Sequence, residues 1–305
     1  MEVLASLRDN PEFLLQAVRD PGLIGLGINK MYYEFTGGVE YNTSGTDIIA
    51  DEDWDNLILL DACRYDAYTA TTPFVGPIEM RESRGSTSRQ FVRGNFNGKR
   101  LHDTVVISGN RWYLDLQNSD DFDCEFHAYY DVERDAADGF VPSAEAVTEA
   151  ALDKIGQYPN KRLVIHYMQP HHPYIGTDID GFEQKRVDMR EYVRRSSVDT
   201  DTIRAAYQDN LQYVLKHVQR LVEELEGKTV ISADHGEALG ERLSPFPVSW
   251  FGHPIRVYTD ELVQVPWHVV SNESRRTIRS ESPRSQLTDI DQAEIEQSLK
   301  DLGYK

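Results

Sequence analysis

The sequence predicts an α/β fold, a three-layer sandwich with a central, mostly parallel sheet. Two observations carry that prediction. Short runs rich in Val, Ile and Leu recur at 57–60, 105–107, 163–165, 230–231 and 265–270. Near-continuous apolar runs of this length suit strands buried on both faces. Segments with helical periodicity alternate with them, most clearly at 143–157 and 201–226, and strand–helix alternation is the signature of an α/β sandwich.

Residues 1–50 form a helical and loop extension. Asn10 is a candidate N-cap and Pro11 suits the first position of a helix over 11–18. The stretch 37–50, rich in Gly, Thr and Asp, reads as a loop. The domain proper is placed at 51–275. Within its longest helical segment Ile203, Tyr207, Leu211, Val214, Leu215, Val218, Leu221, Val222 and Leu225 share one face. Residues 176–200 are polar with little periodicity and read as a flexible insertion or lid. Residues 276–305 form a C-terminal tail, with a short helix near 290–302. There is no internal repeat.

Composition narrows the function. Of 305 residues 40% are hydrophobic, enough for a sizeable core. The net charge of −19 argues against a nucleic-acid or anionic-membrane binder. It also suits a solvated surface that keeps a protein apart from its neighbours in strong salt, so a salt-adapted source is expected. No 18-residue apolar run is present, and the first residues do not read as a secretory signal, so a cytoplasmic location is expected. Two cysteines, Cys63 and Cys124, can build neither a disulfide framework nor a Cys-rich zinc site.

In open α/β sheets ligands bind beyond the carboxyl ends of the strands. Asp61 follows the first run. His166 and then Gln169-Pro170-His171-His172-Pro173 follow the third. Asp234-His235-Gly236-Glu237 follows the fourth, and His253 comes later. Carboxylates and imidazoles are the usual ligands of zinc, manganese and similar ions. Each has an ordinary alternative. Asp61 suits a helix cap, His171-His172 a rigid surface loop, and Arg64 an ion pair with an acidic neighbour. Ser86, Thr87 and Ser88 follow Gly85 and precede a helix starting near Ser88. A hydroxyl there can cap the helix. It can also face an anion held by the helix N-terminus.

Taken together these residues resemble the alkaline phosphatase/sulfatase superfamily over about residues 55–270. The most specific segment is Asp234-His235-Gly236-Glu237, with Glu261-Leu262-Val263-Gln264-Val265-Pro266 downstream. Asp61-Ala62-Cys63-Arg64-Tyr65-Asp66 is similar to the form found in sulfatase-like proteins of halophilic archaea. Gly85-Ser86-Thr87-Ser88 resembles the segment that carries the threonine nucleophile of lipoteichoic acid synthase-type phosphoglycerol transferases. The resemblance implies an alkaline phosphatase-like fold and a divalent ion (Mn, Zn or Ca) on Asp61, Thr87, Asp234 and His235. It makes Thr87 the nucleophile, with Ser86 second. His171, His172 and His253 become candidates for protonating the leaving group, and Arg64 or Arg89 for steadying charge. One ion is expected, a second drawing on His171, His172 and His253. The Cys/Ser-x-Pro-x-Arg motif of true sulfatases is missing, which favours phosphoryl over sulfuryl chemistry. The expected substrate is a small or glycan-linked phosphate or sulfate ester, with hydrolysis or transfer as the reaction. The competing expectation is an inactive copy of the fold that binds a glycan or a phosphorylated ligand.

Overall fold

The computed structural model describes residues 20–134, 141–175, 189–196, 198–272, 274–283 and 292–301. The expected helix at 11–18 and residues 176–188 and 197 of the expected lid lie outside them. The described chain opens with helix α1 (Gly22–Thr36). Strand β1 (Asn56–Asp61), helix α2 (Tyr65–Thr71), strand β2 (Ile78–Glu82) and helix α3 (Ser88–Phe96) follow. Next come β3 (Lys99–Ser108), α4 (Trp112–Gln117), β4 (Cys124–Asp131), α5 (Ala144–Ile155) and β5 (Arg162–Pro170). After α6 (Met189–Arg195) and the long α7 (Thr200–Val222) stand β6 (Lys228–Ala233) and the hairpin β7 (Ala238–Leu243) and β8 (Val248–Gly252). Helix α8 (Asp260–Val263), β9 (Gln264–Asn272) and α9 (Gln292–Asp301) complete the order.

Seven strands form one sheet in the order β2-β9-β6-β1-β5-β3-β4. From β6 to β4 all neighbours are parallel, whereas β9 runs antiparallel to both β6 and β2. The expected mostly parallel sheet is therefore present. Strand β1 shows why its sequence is apolar without alternation. Ile58 and Leu60 enter a core with Leu211, Val214 and Val218 of α7. Leu57 and Leu59 enter the opposite core with Phe91 and Phe96 of α3, Trp112 of α4 and Leu299 of α9. Both faces are covered, which makes three layers, and each fully buried leucine stabilises by on the order of 2 kcal/mol.

Three helices carry the caps their sequences suggest. Ser143 accepts from the Ala146 amide at 3.1 Å and Asp199 from the Thr202 amide at 2.7 Å. Thr87 accepts from the Gln90 amide at 3.4 Å and so caps α3. The segment after β9 is tied back across the amino end of the sheet. Arg275 binds Asp53 and Asp55, and Arg276 donates to Asn56 Oδ1 at 2.7 Å.

Candidate active site

The site stands at the carboxyl ends of β1, β5, β6 and β3. Leu60 and Ala233 are paired neighbours on β1 and β6, so Asp61 and Asp234 leave the sheet side by side. The chain turns sharply after Asp61, with Ala62 in the left-handed region at φ 60°. Such a conformation costs of order 1 kcal/mol and persists only where neighbours enforce it. Here Asp234 Oδ1 accepts from the Ala62 amide at 3.1 Å, and Tyr207 Oη donates to the Ala62 carbonyl at 2.8 Å.

These contacts leave selected atoms facing one another. Asp61 Oδ2 accepts from Asn110 Nδ2 at 2.8 Å and from Ser88 Oγ at 3.3 Å. Asp234 Oδ1 also takes the His235 amide at 2.8 Å. Asp61 Oδ1, Asp234 Oδ2 and His166 Nε2 are buried without a hydrogen-bond partner. His235 Nδ1–H donates to the Gly236 carbonyl at 2.8 Å, which turns Nε2 inward.

Burial, and then the charge of Asp234, push the Asp61 carboxyl well above its usual range. Burial opposes ionisation of Asp234 too, but His235 and His166 outweigh it and hold that carboxyl low. Burial takes His235 down to about 4, leaving a neutral imidazole at pH 7. Two adjacent buried carboxyl groups with unpaired oxygens can both ionise only beside a compensating cation. Donor atoms about 2.1 Å from one tetrahedral ion lie about 3.4 Å apart. His235 Nε2 is 3.4 Å from Asp61 Oδ1 and 3.5 Å from Asp234 Oδ2, and His166 Nε2 is 3.5 Å from Asp234 Oδ2. The donor set and its spacing fit a divalent metal ion.

A second group stands beside it. One donor atom each from His171, Glu237 and His253 lies within 4.8 Å of the others. His253 Nδ1 meets Glu237 Oε2 at 2.9 Å, while the buried Glu237 Oε1 has no hydrogen-bond partner. The His235 and His253 ring centroids are 4.5 Å apart, which joins the two groups into one basin. Burial, then the charges of His172, His253 and His235, hold His171 well below the usual imidazole range.

Of the residues expected from sequence, Asp61, Asp234 and His235 meet in the first group, and His171 and His253 in the second. His172 stacks on His171 with ring centroids 4.1 Å apart. Arg64 is turned elsewhere. It grips Asp66 at 2.9 and 2.7 Å and Glu241 at 2.8 Å, and donates to the Glu237 carbonyl at 3.2 Å, so it braces β7. Among the three hydroxyls, Ser86 Oγ lies 3.0 Å from both Gln90 Oε1 and the Pro254 carbonyl. Thr87 caps α3 and lines a cavity with His172 and His253. Ser88 Oγ is the hydroxyl beside the ligand atoms, 3.3 Å from Asp61 Oδ2 and 3.4 Å from His235 Nε2. Sequence reasoning placed His166 and Glu237 only among the carboxylates and imidazoles that follow strands and Ser88 only in the hydroxyl cluster, and it did not single out Asn110. Asn110 follows a strand as Asp61 does, so position alone could have flagged it.

Gly236 explains the glycine of that segment. Its amide donates to the Leu262 carbonyl at 2.8 Å, and a Cβ there would sit 2.2 Å from the Glu261 carbonyl oxygen. Backbone cannot give way as a flexible side chain would. Gly236→Ala is expected to destabilise the fold by at least about 2 kcal/mol and to weaken metal retention, both measurable by denaturation with and without metal. An unchanged midpoint would show that the two segments can separate freely.

No protein-family model matches the sequence, and no curated protein is significantly similar to it. Solved structures of similar shape do exist. The C-terminal periplasmic domain of EcEptC from Escherichia coli, in complex with Zn, is 12% identical, with 72% of each chain covered and a TM-score of 0.44. The soluble domain of lipooligosaccharide phosphoethanolamine transferase A from Neisseria meningitidis is 13% identical, covering 72% of this chain and 76% of that one at a TM-score of 0.46. Phosphonate monoester hydrolase SpPMH from Silicibacter pomeroyi is 16% identical, covering 81% of this chain and 72% of that one at a TM-score of 0.42.

Proposed function

We propose that this chain is a metal-dependent hydrolase or transferase of phosphate or sulfate esters, with a hydroxyl nucleophile. One observation carries the reading: Asp61 Oδ1, Asp234 Oδ2 and His166 Nε2 converge unpaired, with a helix-terminal hydroxyl among them. Asp61, Asp234, His235 and His166 would hold the ion. A divalent ion in such a site lowers the pKa of a neighbouring hydroxyl and draws charge from the ester oxygens. The chain's own residues do the remainder. Asp61 Oδ2 accepts from Ser88 Oγ, holds it in place for attack and can take its proton. The amides at the start of α3 offer partial positive charge to the anionic group. Glu237 fixes the orientation of His253 through Nδ1 and favours its imidazolium form, whose Nε2 proton can pass to the leaving oxygen. Arg89 and His172 stand at the mouth of the same basin.

The test is a panel of p-nitrophenyl phosphate, bis-p-nitrophenyl phosphate and p-nitrophenyl sulfate. It would be run in high salt after chelation and after return of Mn²⁺, Zn²⁺ or Ca²⁺. Turnover that vanishes on chelation and returns with metal is expected, and the preferred ester separates phosphoryl from sulfuryl chemistry. A protein that retains no metal and turns over none of the three would sink the proposal.

A further inference from the structure

A cavity of about 260 Å³ opens beside this site; it shares His253 with the proposed reaction, and most of its remaining lining has no part in it. Thr87, His172 and His253 form the end nearest those groups. Trp112, Trp250 and Phe251 supply flat apolar wall. Two cations complete it, Lys30 from α1 and Arg89 from the first turn of α3. The aromatic and cationic walls therefore come from four separate elements, α1, α3, α4 and β8.

The two cations stand out in so acidic a chain. Arg84, Arg93, Arg162, Arg190 and Arg256 each have a carboxylate oxygen within 4.0 Å. Among the described residues neither Lys30 nor Arg89 makes a hydrogen bond or an ion pair. Glu34, one turn from Lys30, is held by Arg256 at 3.1 Å. Arg89 lies over the Trp112 ring at 5.9 Å instead of reaching an acid. Burial, and then the nearby Arg256, lower the Lys30 ammonium from its usual range, and the opposing charge of Glu34 only partly offsets them. With 51 acidic residues against 32 basic ones, cations that face a cavity and have no ion pair among the described residues mark a place for an external anion.

We infer that this cavity binds the arm of the ester remote from the scissile bond, and that the arm is a flat, largely apolar group carrying its own negative charge. Lys30 and Arg89 recognise the charge, and Trp112 and Trp250 the flat face. Helix α1 thereby becomes a specificity element. The identity of the arm as part of the substrate rests on the proposed ester chemistry; the binding itself does not.

Two probes of one shape test it, anionic 2-naphthoate and neutral 2-naphthamide, titrated calorimetrically into the full chain in EDTA. Without metal, binding is read apart from turnover. Naphthoate is expected to bind about tenfold more tightly than naphthamide, the usual effect of a charged hydrogen bond. Lys30→Met and Arg89→Met should each remove most of that preference and leave naphthamide unchanged, while Lys30→Arg keeps it. Among the described residues neither side chain makes a hydrogen bond or an ion pair, and Arg89 only lies over the Trp112 ring, so these variants should melt close to wild type. Equal affinity for the two probes, no saturation by either at millimolar concentration, or a preference unchanged in both Met variants would each overturn the inference. A preference that holds in a protein without ester turnover would leave the cavity's assignment standing and remove only the reaction.

Discussion

Asp234→Asn is expected to lower metal-dependent ester turnover by at least about 10³-fold while leaving the metal-free fold intact. The amide keeps Oδ1, which accepts from the Ala62 and His235 amides, so the turn after β1 survives. What it removes is the unpaired Oδ2 and one of two adjacent buried negative charges. In the metal-free protein that charge raises the Asp61 carboxyl, while His235 and His166 favour it and hold Asp234 ionised. Removing it relieves Asp61 and gives up the attraction of the two histidines, so the melting point of the metal-free variant should stay close to wild type. Metal added at a hundredfold excess over its dissociation constant should stabilise wild type by about 2.7 kcal/mol and the variant by almost nothing. The sign with pH follows. Metal must displace the proton that Asp61 holds above the usual carboxylate range, so wild-type metal affinity should fall as pH is lowered through that raised value. His235, down at about 4, does not compete near neutrality. A variant that retained the wild-type metal content, measured by elemental analysis, would overturn this assignment.

The second large effect separates two adjacent hydroxyls. Ser88→Ala is expected to cost at least about 10³-fold in turnover with little change in stability, because the Ser88 hydroxyl touches Asp61 and His235 and does not cap the helix. Thr87→Ala is expected to do the reverse. It should lose about 1 kcal/mol of stability with the cap and retain most of its activity. Turnover and denaturation of both variants would be measured side by side. The opposite pattern, an inactive Thr87→Ala beside an active Ser88→Ala, would return the nucleophile to the threonine that the phosphoglycerol transferase resemblance implies.

The sheet was legible where its strands are buried on both faces. Strands β1, β3, β5, β6 and β9 coincide with the five apolar runs, and α5, α7 and α9 with the helical segments. The two edge strands were not legible. In β4 the buried Cys124 and Phe126 flank exposed Glu125, and β2 at the other edge is a mixed segment with charged Glu79, Arg81 and Glu82. Charge on an edge strand guards against pairing with other chains, and the same charge hides the strand from a search for apolar runs. The hairpin of β7 and β8 was hidden because it stands outside the main sheet.

At the site, ligand types and their positions after strands were readable, but not which atom each ligand presents. That Asp61 offers Oδ1 follows from Asn110 taking Oδ2, and Asn110 is 49 residues away. The register of Ser86, Thr87 and Ser88 is fixed by how α3 begins, which one-residue differences in sequence do not reveal. A grouping of His171, Glu237 and His253 required the β7–β8 hairpin to fold back, and its sequence carries no sign of that.

The pairing of Asp61 with Asp234 has a bearing on how the chain reaches its final form. These residues are 173 positions apart, and they become neighbours only when β1 has found β6 as its parallel partner. Parallel strands at such separation carry a high loop-closure entropy and pair slowly. No isolated hairpin or helix of this chain could assemble the same donors, so tight metal capture should arrive with the last step of refolding. An ion-sensitive dye in a stopped-flow experiment would then report completion of the sheet centre, with β1 as the strand whose arrival it times.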